Sequence, residues 1–400
     1  MKIIRSPIND LGYGLFGIGL YKKLIQIDNS WNLCELNGKP SPNEYEKSIL
    51  DQFKIDYITN NQAFNKIAET EKTAAINCSV FHASQLRTFL NEHARNFAFI
   101  HFETDRLSVS DMSGLEKVDK IFVCSPWAKQ ILIKHGFKED IIQDNIGISF
   151  PLLSSDYSKQ RILSTDTYKE LQILFNKIRI KLPPFVFTNV GKLEVRKGHY
   201  SIIKALSLSK LPVTMVTLWS NPFMKDYGYS ELHNALIQED FKLTQSGTFQ
   251  SQNISIYQNE HDTTVFVLPR LKSYIDVLRT IALSNCYICA SSGEGWNMPA
   301  VEAMGLGVPI ILPKNTAHLA YSSKIKYMLE CETALAYDGL WFNGNQGNWY
   351  PVKLDSLVET IKTAFKEISS GPINTIDSAS IESITDFDKI STENIKKSFV

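Results

Sequence analysis

Short apolar runs alternate with stretches of helical periodicity along this chain, and the alternation occurs in two bouts. In the first, the strand-like runs are KIIRSP, AAINCSVF, NFAFIHF and KIFVCS. The opening run leads into a glycine-rich turn, NDLGYGLFG, and then a helical pattern, IGLYKKLI. Strand and helix in alternation predict a parallel, doubly wound sheet. The pattern breaks over 152–184. There SSDYSKQ is turn-like, a polar helix is expected over about 166–180, and Pro183 and Pro184 close it. This stretch reads as a linker.

The alternation then restarts. FVFTNV precedes a helix over about 199–208. VTMVTLW and TVFVLP follow, then a helix over about 273–284, CYICAS, a helix from Pro299, and VPIIL. Two amphipathic helices, about 354–368 and 381–399, end the chain. The reading is an α/β protein of two doubly wound, Rossmann-like domains, 1–180 and 181–380, facing a central cleft. The final helix, about 381–400, is expected to pack back on the first domain. Ligands of such sheets bind at the carboxyl ends of the strands, where the strand order reverses.

Length agrees with two cores, since 400 residues exceed what one ordinary core supports. Lys plus Arg number 42 and Asp plus Glu number 42, so the net charge is zero. That balance argues against a broad nucleic-acid footprint. MKIIRSPIND is too short and polar for a signal peptide, and no apolar run is long enough to span a bilayer. Six scattered cysteines without a secretory signal point to reduced thiols and a cytoplasmic protein. Cys286 and Cys289 form a C-x-x-C, but a strand would turn them to opposite faces and no second pair completes a zinc site, so a structural role is expected.

The chemistry concentrates in residues 286–312, CYICASSGEGWNMPAVEAMGLGVPIIL. CYICAS reads as a strand and 291–297 as a small polar loop. Asn297 is placed to cap the next helix, and Pro299 suits its first turn, where a missing N–H is harmless. The exposed amides and positive dipole end of such a helix hold phosphate. Gly293 and Gly295 let the backbone approach a ligand closely. Glu294 in the loop and Glu302 one turn into the helix supply carboxylates, which accept hydrogen bonds from the neutral hydroxyls of a sugar or ribose. A second segment, FVFTNVGKLEVRKGHYSIIKAL, ends a strand at Val190 and then presents Lys192, Arg196 and Lys197 before Gly198 opens a helix. Fixed cations at a strand end suit a diphosphate and the charge that develops on it as it leaves.

Glu294-Gly-Trp-Asn-Met-Pro-Ala-Val-Glu302 resembles the signature of retaining glycosyltransferases of the GT-B fold, the large family 4, also called glycosyl transferases group 1. The resemblance spans most of the chain and is strongest over 185–312. It implies that Glu294 contacts the donor sugar and Glu302 the ribose, with Gly295 and the backbone of Trp296, Asn297 and Met298 beside the sugar or phosphates. Lys192, Arg196 and Lys197 correspond to the family's diphosphate clamp. Lys192 stands where Arg is usual, which leaves the first contact open between Lys192 and Arg196.

The same resemblance places the first glycine-rich turn near donor phosphates and acceptor, with Gly14 on the donor side and Gly12 on the acceptor side. Gly12, Gly14 and Gly17 also satisfy G-x-G-x-x-G, a dinucleotide fingerprint, but no clear acidic residue is expected to close a second strand about 20 residues on. At another strand end stand His101, Glu103 and Asp105, which alternation would put on one face if the strand ran on. His101 is the catalytic-side candidate, with Lys197 and Glu294; His82 is the second histidine, and Glu103 and Asp105 are candidates for acceptor hydroxyls. The resemblance implies transfer of a hexose-type sugar from a UDP- or GDP-linked donor to a glycan, lipid or protein acceptor. It also implies retained configuration, no metal and no other cofactor, in the cytoplasm or peripheral at the cytoplasmic membrane face. A sugar-nucleotide epimerase of the same fold and a non-catalytic binding module are the alternatives. Tyr337 to Tyr350, with Trp341 and Trp349, is expected to be packing.

Overall fold

A computed structural model describes residues 2–36, 43–53, 55, 76–149, 185–224, 227–249, 252–268, 270–271, 273–370 and 376–399. By its contacts the chain divides into two compact units. The first gathers Met1–Pro151, Glu294–Met298 and Asp386–Val400; the second gathers Leu152–Gly293 and Pro299–Thr385. The expected linker helix over 166–180 and the expected boundary at 180–181 lie outside the described residues.

The first unit carries a parallel six-stranded sheet: β1 (Lys2–Ser6), β2 (Trp31–Glu35), β3 (Ile76–Val80), β4 (Arg95–Phe99), β5 (Lys120–Phe122) and β6 (Ile142–Gln143). Their order is β2-β1-β3-β4-β5-β6, so the connections reverse direction between β1 and β3. Helices α1 (Gly12–Ile27), α2 (Glu44–Gln52), α3 (Val109–Leu115) and α4 (Pro126–Lys134) connect these strands. The strands read as near-continuous apolar runs because a parallel sheet is covered on both faces. Ala98, Ile100, Ile121 and Val123 pack with Leu115 and Leu132 in one buried cluster. Phe399, near the end of the last helix, lies against Phe122 with ring centroids 5.2 Å apart and against Phe97 at 5.4 Å.

α1 begins at Gly12, so most of the expected glycine-rich turn is helix. Asn9 marks the bend instead, its side chain accepting from the Leu11 amide at 3.0 Å. A Cβ on Gly17 would fall 1.8 Å from the Ser6 hydroxyl oxygen. The helix therefore packs directly on the end of β1, which only glycine allows.

The second unit carries an eight-stranded sheet: β7 (Val186–Lys192), β8 (Thr214–Ser220), β9 (Lys242–Phe249), β10 (Gln252–Gln258), β11 (Thr264–Leu268), β12 (Cys286–Ile288), β13 (Ile310–Pro313) and β14 (Tyr327–Leu329). The order is β14-β13-β12-β7-β8-β11-β10-β9. All neighbours are parallel except the β11–β10 and β10–β9 pairs, which are antiparallel, so that β9 and β10 form an edge hairpin. That hairpin departs from the simple alternation read in the sequence. β9 is polar and exposed from Lys242 to Thr248, as an antiparallel edge can be.

Helices α5 (His199–Ser209), α6 (Tyr229–Gln238), α7 (Tyr274–Leu283), α8 (Met298–Gly305) and α9 (Leu354–Ser369) accompany this sheet, and α10 (Ser378–Phe399) ends the described chain. Strand β8 shows how both faces are covered. Met215 and Trp219 join a core with Ile202, Leu206, Leu236 and Ile361, while Val216 and Leu218 join another with Phe266 and Ile254. A separate ribbon pairs β15 (Ala334–Tyr337) with β16 (Asn343–Trp349). Trp349 is buried there, and Trp341 is 59% exposed.

Candidate functional site

In the second sheet the connections reverse between β7 and β12, which are neighbours in space although they start 100 residues apart, at Val186 and Cys286. Both sequence motifs follow these strands. The strand ends at such a reversal splay apart and leave a crevice, the usual ligand site of an open α/β sheet.

The loop after β7 runs Leu193 to Gly198, with a 3₁₀ turn at Val195–Lys197. Its hub is Glu194, which the sequence reading passed over. The carboxylate accepts from Arg196 at 2.6 Å and pairs with Lys192 at 3.2 Å. Burial pushes the Glu194 carboxyl up, but the charges of Arg196, Lys192 and Lys197 outweigh it and hold the group below its usual range. All three cations of the motif therefore converge on one anion. Arg196 itself is 5% exposed, and its guanidinium also donates to the Gly293 carbonyl. Lys192 is more open, with its ammonium 5.5 Å from the Phe223 ring centre.

The loop after β12 is bound to this turn by its backbone. The Ser292 amide donates to the Arg196 carbonyl at 2.8 Å, and the Ser291 hydroxyl donates to the same oxygen at 3.3 Å. From behind, the Asn315 side chain donates to the Ser291 carbonyl at 2.9 Å and the Tyr350 amide to the Ser292 carbonyl at 2.7 Å. Gly198 explains how closely the loops meet. Its φ is +69°, and a Cβ there would lie 2.2 Å from the Ala290 carbonyl oxygen. Lys192, Arg196, Lys197 and residues 291–293 are thus brought together.

α8 starts at Met298, and Asn297 occupies the position before it at φ +70°, a conformation Asn tolerates better than most side chains. Pro299 is the second helical residue, where its missing N–H leaves no bond unmade. Glu302 is 1% exposed and accepts from the Tyr274 hydroxyl at the start of α7. Burial drives the Glu302 carboxyl up to about 7, against the Tyr274 hydrogen bond, which pulls it down.

That shift has a measurable consequence. Between its ordinary value of 4.5 and about 7 the folded protein holds a proton that the unfolded chain has released. Stability therefore falls as the pH rises across this window. Glu302→Gln keeps an acceptor for Tyr274 and cannot ionise. It is expected to remove about 3 kcal/mol of that pH-dependent loss, read as melting temperature from pH 5 to 8. A variant with the wild-type slope would exclude Glu302 as its source.

Residues 294–298 group with the first unit. Glu294 is 5% exposed. A Cβ on Gly295 would sit 2.5 Å from the His101 Cβ, so glycine is what lets this backbone lie against the end of β4. The Trp296 indole donates to the Ile148 carbonyl at 3.0 Å, and its ring lies 4.9 Å from Phe387. The Trp296 side chain is packing.

In the first unit, the reversal between β1 and β3 gathers a histidine cluster around a residue the sequence reading missed, Tyr13. Its hydroxyl donates to the His101 carbonyl at 3.1 Å and stands 3.5 Å from His82 Nδ1. The ring centroids lie 5.2 Å from His101 and 4.7 Å from His82. Burial drives the His101 imidazole down to about 3, the neighbouring His82 adds to this, and the Gly295 backbone opposes it. His101 is therefore a neutral imidazole at physiological pH, with Nδ1 3.5 Å from the Cys124 sulfur. His82 is exposed. β4 stops at Phe99, so strand alternation does not extend to Glu103 and Asp105; both are half-buried in the loop beyond. Gly12 is exposed at the start of α1, whereas Gly14 is buried with its missing side chain turned towards Asn9. The aromatic between these glycines was the available signal for Tyr13.

No family model matches the chain, and no curated protein sequence matches it. Solved structures do. HepE of Anabaena, in complex with UDP-glucose, is 14% identical over 99% of this chain and 99% of its own, with a TM-score of 0.64. A glycosyltransferase of Rickettsia africae is 12% identical over 99% and 96%, with a TM-score of 0.58. Sucrose-phosphate synthase of Thermosynechococcus elongatus is 13% identical over 100% and 98%, with a TM-score of 0.59. The fold is that of the GT-B glycosyltransferases, built from two Rossmann-like α/β units. Among the described residues no helix is long and apolar enough to cross a membrane.

Proposed function

We propose that the protein is a glycosyltransferase that takes a hexose-type sugar from a UDP- or GDP-linked donor. It gives the sugar to a glycan, lipid or protein acceptor with retention of configuration and without a metal ion or further cofactor. The observation that carries this reading is the joining of the two motifs at the β7–β12 reversal through Arg196, Ser291, Ser292 and Gly293. A cationic turn and a loop leading to a helix N-terminus meet there, with a buried carboxylate in the same helix. Those are the groups a nucleoside diphosphate sugar requires. The solved likeness in complex with UDP-glucose supports that donor class.

In this reading the bond from the anomeric carbon to the β-phosphate oxygen breaks, the carbon bonds the acceptor oxygen, and the acceptor's hydroxyl proton passes to the released diphosphate. Negative charge collects on the departing diphosphate, where Lys197, Lys192 and the amides at the start of α8 stabilise it. Glu302 accepts from the ribose and Glu294 from the donor sugar, beside the backbone of Gly295 to Met298. Gly14 belongs to the donor side; His101 with Tyr13 faces the reacting sugar; Gly12, His82, Glu103 and Asp105 belong to the acceptor side. The protein acts in the cytoplasm, dissolved or peripheral at the membrane face.

A thermal-shift screen of UDP-, GDP- and ADP-sugars, followed by mass spectrometry of products, tests the proposal. The expected result is stabilisation by one nucleotide class and a product heavier than its acceptor by one sugar. Conversion of the donor without any acceptor would identify an epimerase. Stabilisation by none of the nucleotides would favour a non-catalytic module.

A further inference from the structure

One groove of the second unit draws none of its lining from the helix bearing Glu302. Its volume is about 740 Å³, and it is lined by residues of α5 and α6 together with Leu193 to Val195 and Asp338. Glu231, Asn234, Ala235 and Gln238 line it, a spacing of three, four and seven that forms one face of α6. Leu232 and Leu236, on the other face, enter the core. From α5 come Tyr200 and Lys204, and Tyr227 stands before α6.

The chemistry of this lining selects its ligand. Glu194 is already paired with Arg196 and Lys192, and the remaining carboxylates of Glu231, Glu239 and Asp338 still outnumber the one lysine, Lys204, among the described lining residues. That excludes phosphates and other anions. Apolar lipid is excluded because the α6 face presents amides and carboxylates. What remains is a ligand rich in neutral hydroxyls, which can donate to carboxylates, both donate to and accept from amides, and lay C–H faces on aromatic rings. Burial and then Glu231 hold the Tyr200 hydroxyl above its usual range; burial, Asp338, Glu231 and Glu194 do the same for Tyr227. Both phenols therefore stay protonated and able to donate. Asp338 continues this surface into the β15–β16 ribbon. Its carboxylate accepts from the amides of Leu340, Trp341 and Phe342, and the flanking Tyr337 and Trp341 are 63% and 59% exposed.

We propose that the groove between α5 and α6 binds a neutral oligosaccharide, with Tyr200 and Tyr227 as stacking faces and Glu231, Asn234 and Gln238 as hydroxyl partners. This second carbohydrate site stands independently of the transfer reaction proposed above. It is tested with the full chain on an array of neutral glycans, then by titration of a captured oligosaccharide into wild type and Tyr227→Ala. Capture is expected, with affinity weakened by about tenfold or more in the variant while its melting temperature stays at the wild-type value. Should Tyr227→Ala fold poorly, Asn234→Ala/Gln238→Ala, at exposed positions, reads the same contact. Capture of no neutral glycan, or undiminished affinity in folded groove variants, overturns the proposal. So does tight binding of spermidine in place of glycans, which would make the groove a cation site.

Discussion

Lys197→Ala is expected to yield a folded protein whose kcat is lower by about 100- to 1,000-fold. The reason is where the charge goes. A leaving diphosphate gains negative charge during the reaction, so a cation fixed beside it stabilises the transition state more than the bound donor. Lys197 sits in the turn between β7 and α5, immediately before Gly198, whose backbone is held against Ala290. That rigidity keeps its backbone in place without the ammonium. Lys197→Arg retains the charge on a different geometry and should recover part of the rate. Turnover of the donor found in the nucleotide screen, together with melting temperature, checks this. Near-wild-type turnover in folded Lys197→Ala would remove the diphosphate clamp from the mechanism. Glu294→Ala, tested alongside, should also lose transfer if the donor sugar rests on that carboxylate.

The second large effect is on stability. Arg196→Met should lower it by about 3–5 kcal/mol, because a buried carboxylate loses its partner while the desolvation it has already undergone remains. Glu194 would keep only Lys192 and Lys197, and the Gly293 carbonyl would lose a donor. For a unit of this size the melting temperature should drop by about 6–20 °C. Adding Glu194→Gln to Arg196→Met should restore much of the loss, since the stranded charge disappears. A wild-type melting curve for Arg196→Met would mean that the guanidinium serves a ligand and not the loop.

The experiments separate two kinds of residue that look alike in the sequence. In the sequence, Lys192 and Arg196 are open alternatives for the first diphosphate contact, beside Lys197. The fold makes Arg196 a buried tie between loops, and leaves Lys192 partly open beside Phe223. The decisive group is Glu194, which has the wrong sign for a phosphate site and drew no attention for that reason. Tyr274 is similar: nothing in its neighbours in sequence connects it to Glu302, 28 residues away. Tyr13 was hidden between two glycines that were themselves read as the signal.

What the sequence determined by itself was local. Short apolar runs placed β7, β8, β11 and β12, and a glycine followed by helical periodicity placed α5. Pro299 and the glycines around Glu294 marked a strand, a loop and a helix start. Each of these follows from the conformations that neighbouring residues permit, so a short window suffices. The tertiary structure decided which loops meet, where β4 stops, that β9 and β10 run antiparallel, and that residues 294–298 pack with the first unit. Those outcomes depend on sheet order and on burial. A charge or hydroxyl takes its role from the partner that burial brings to it, and that partner can lie a hundred residues away.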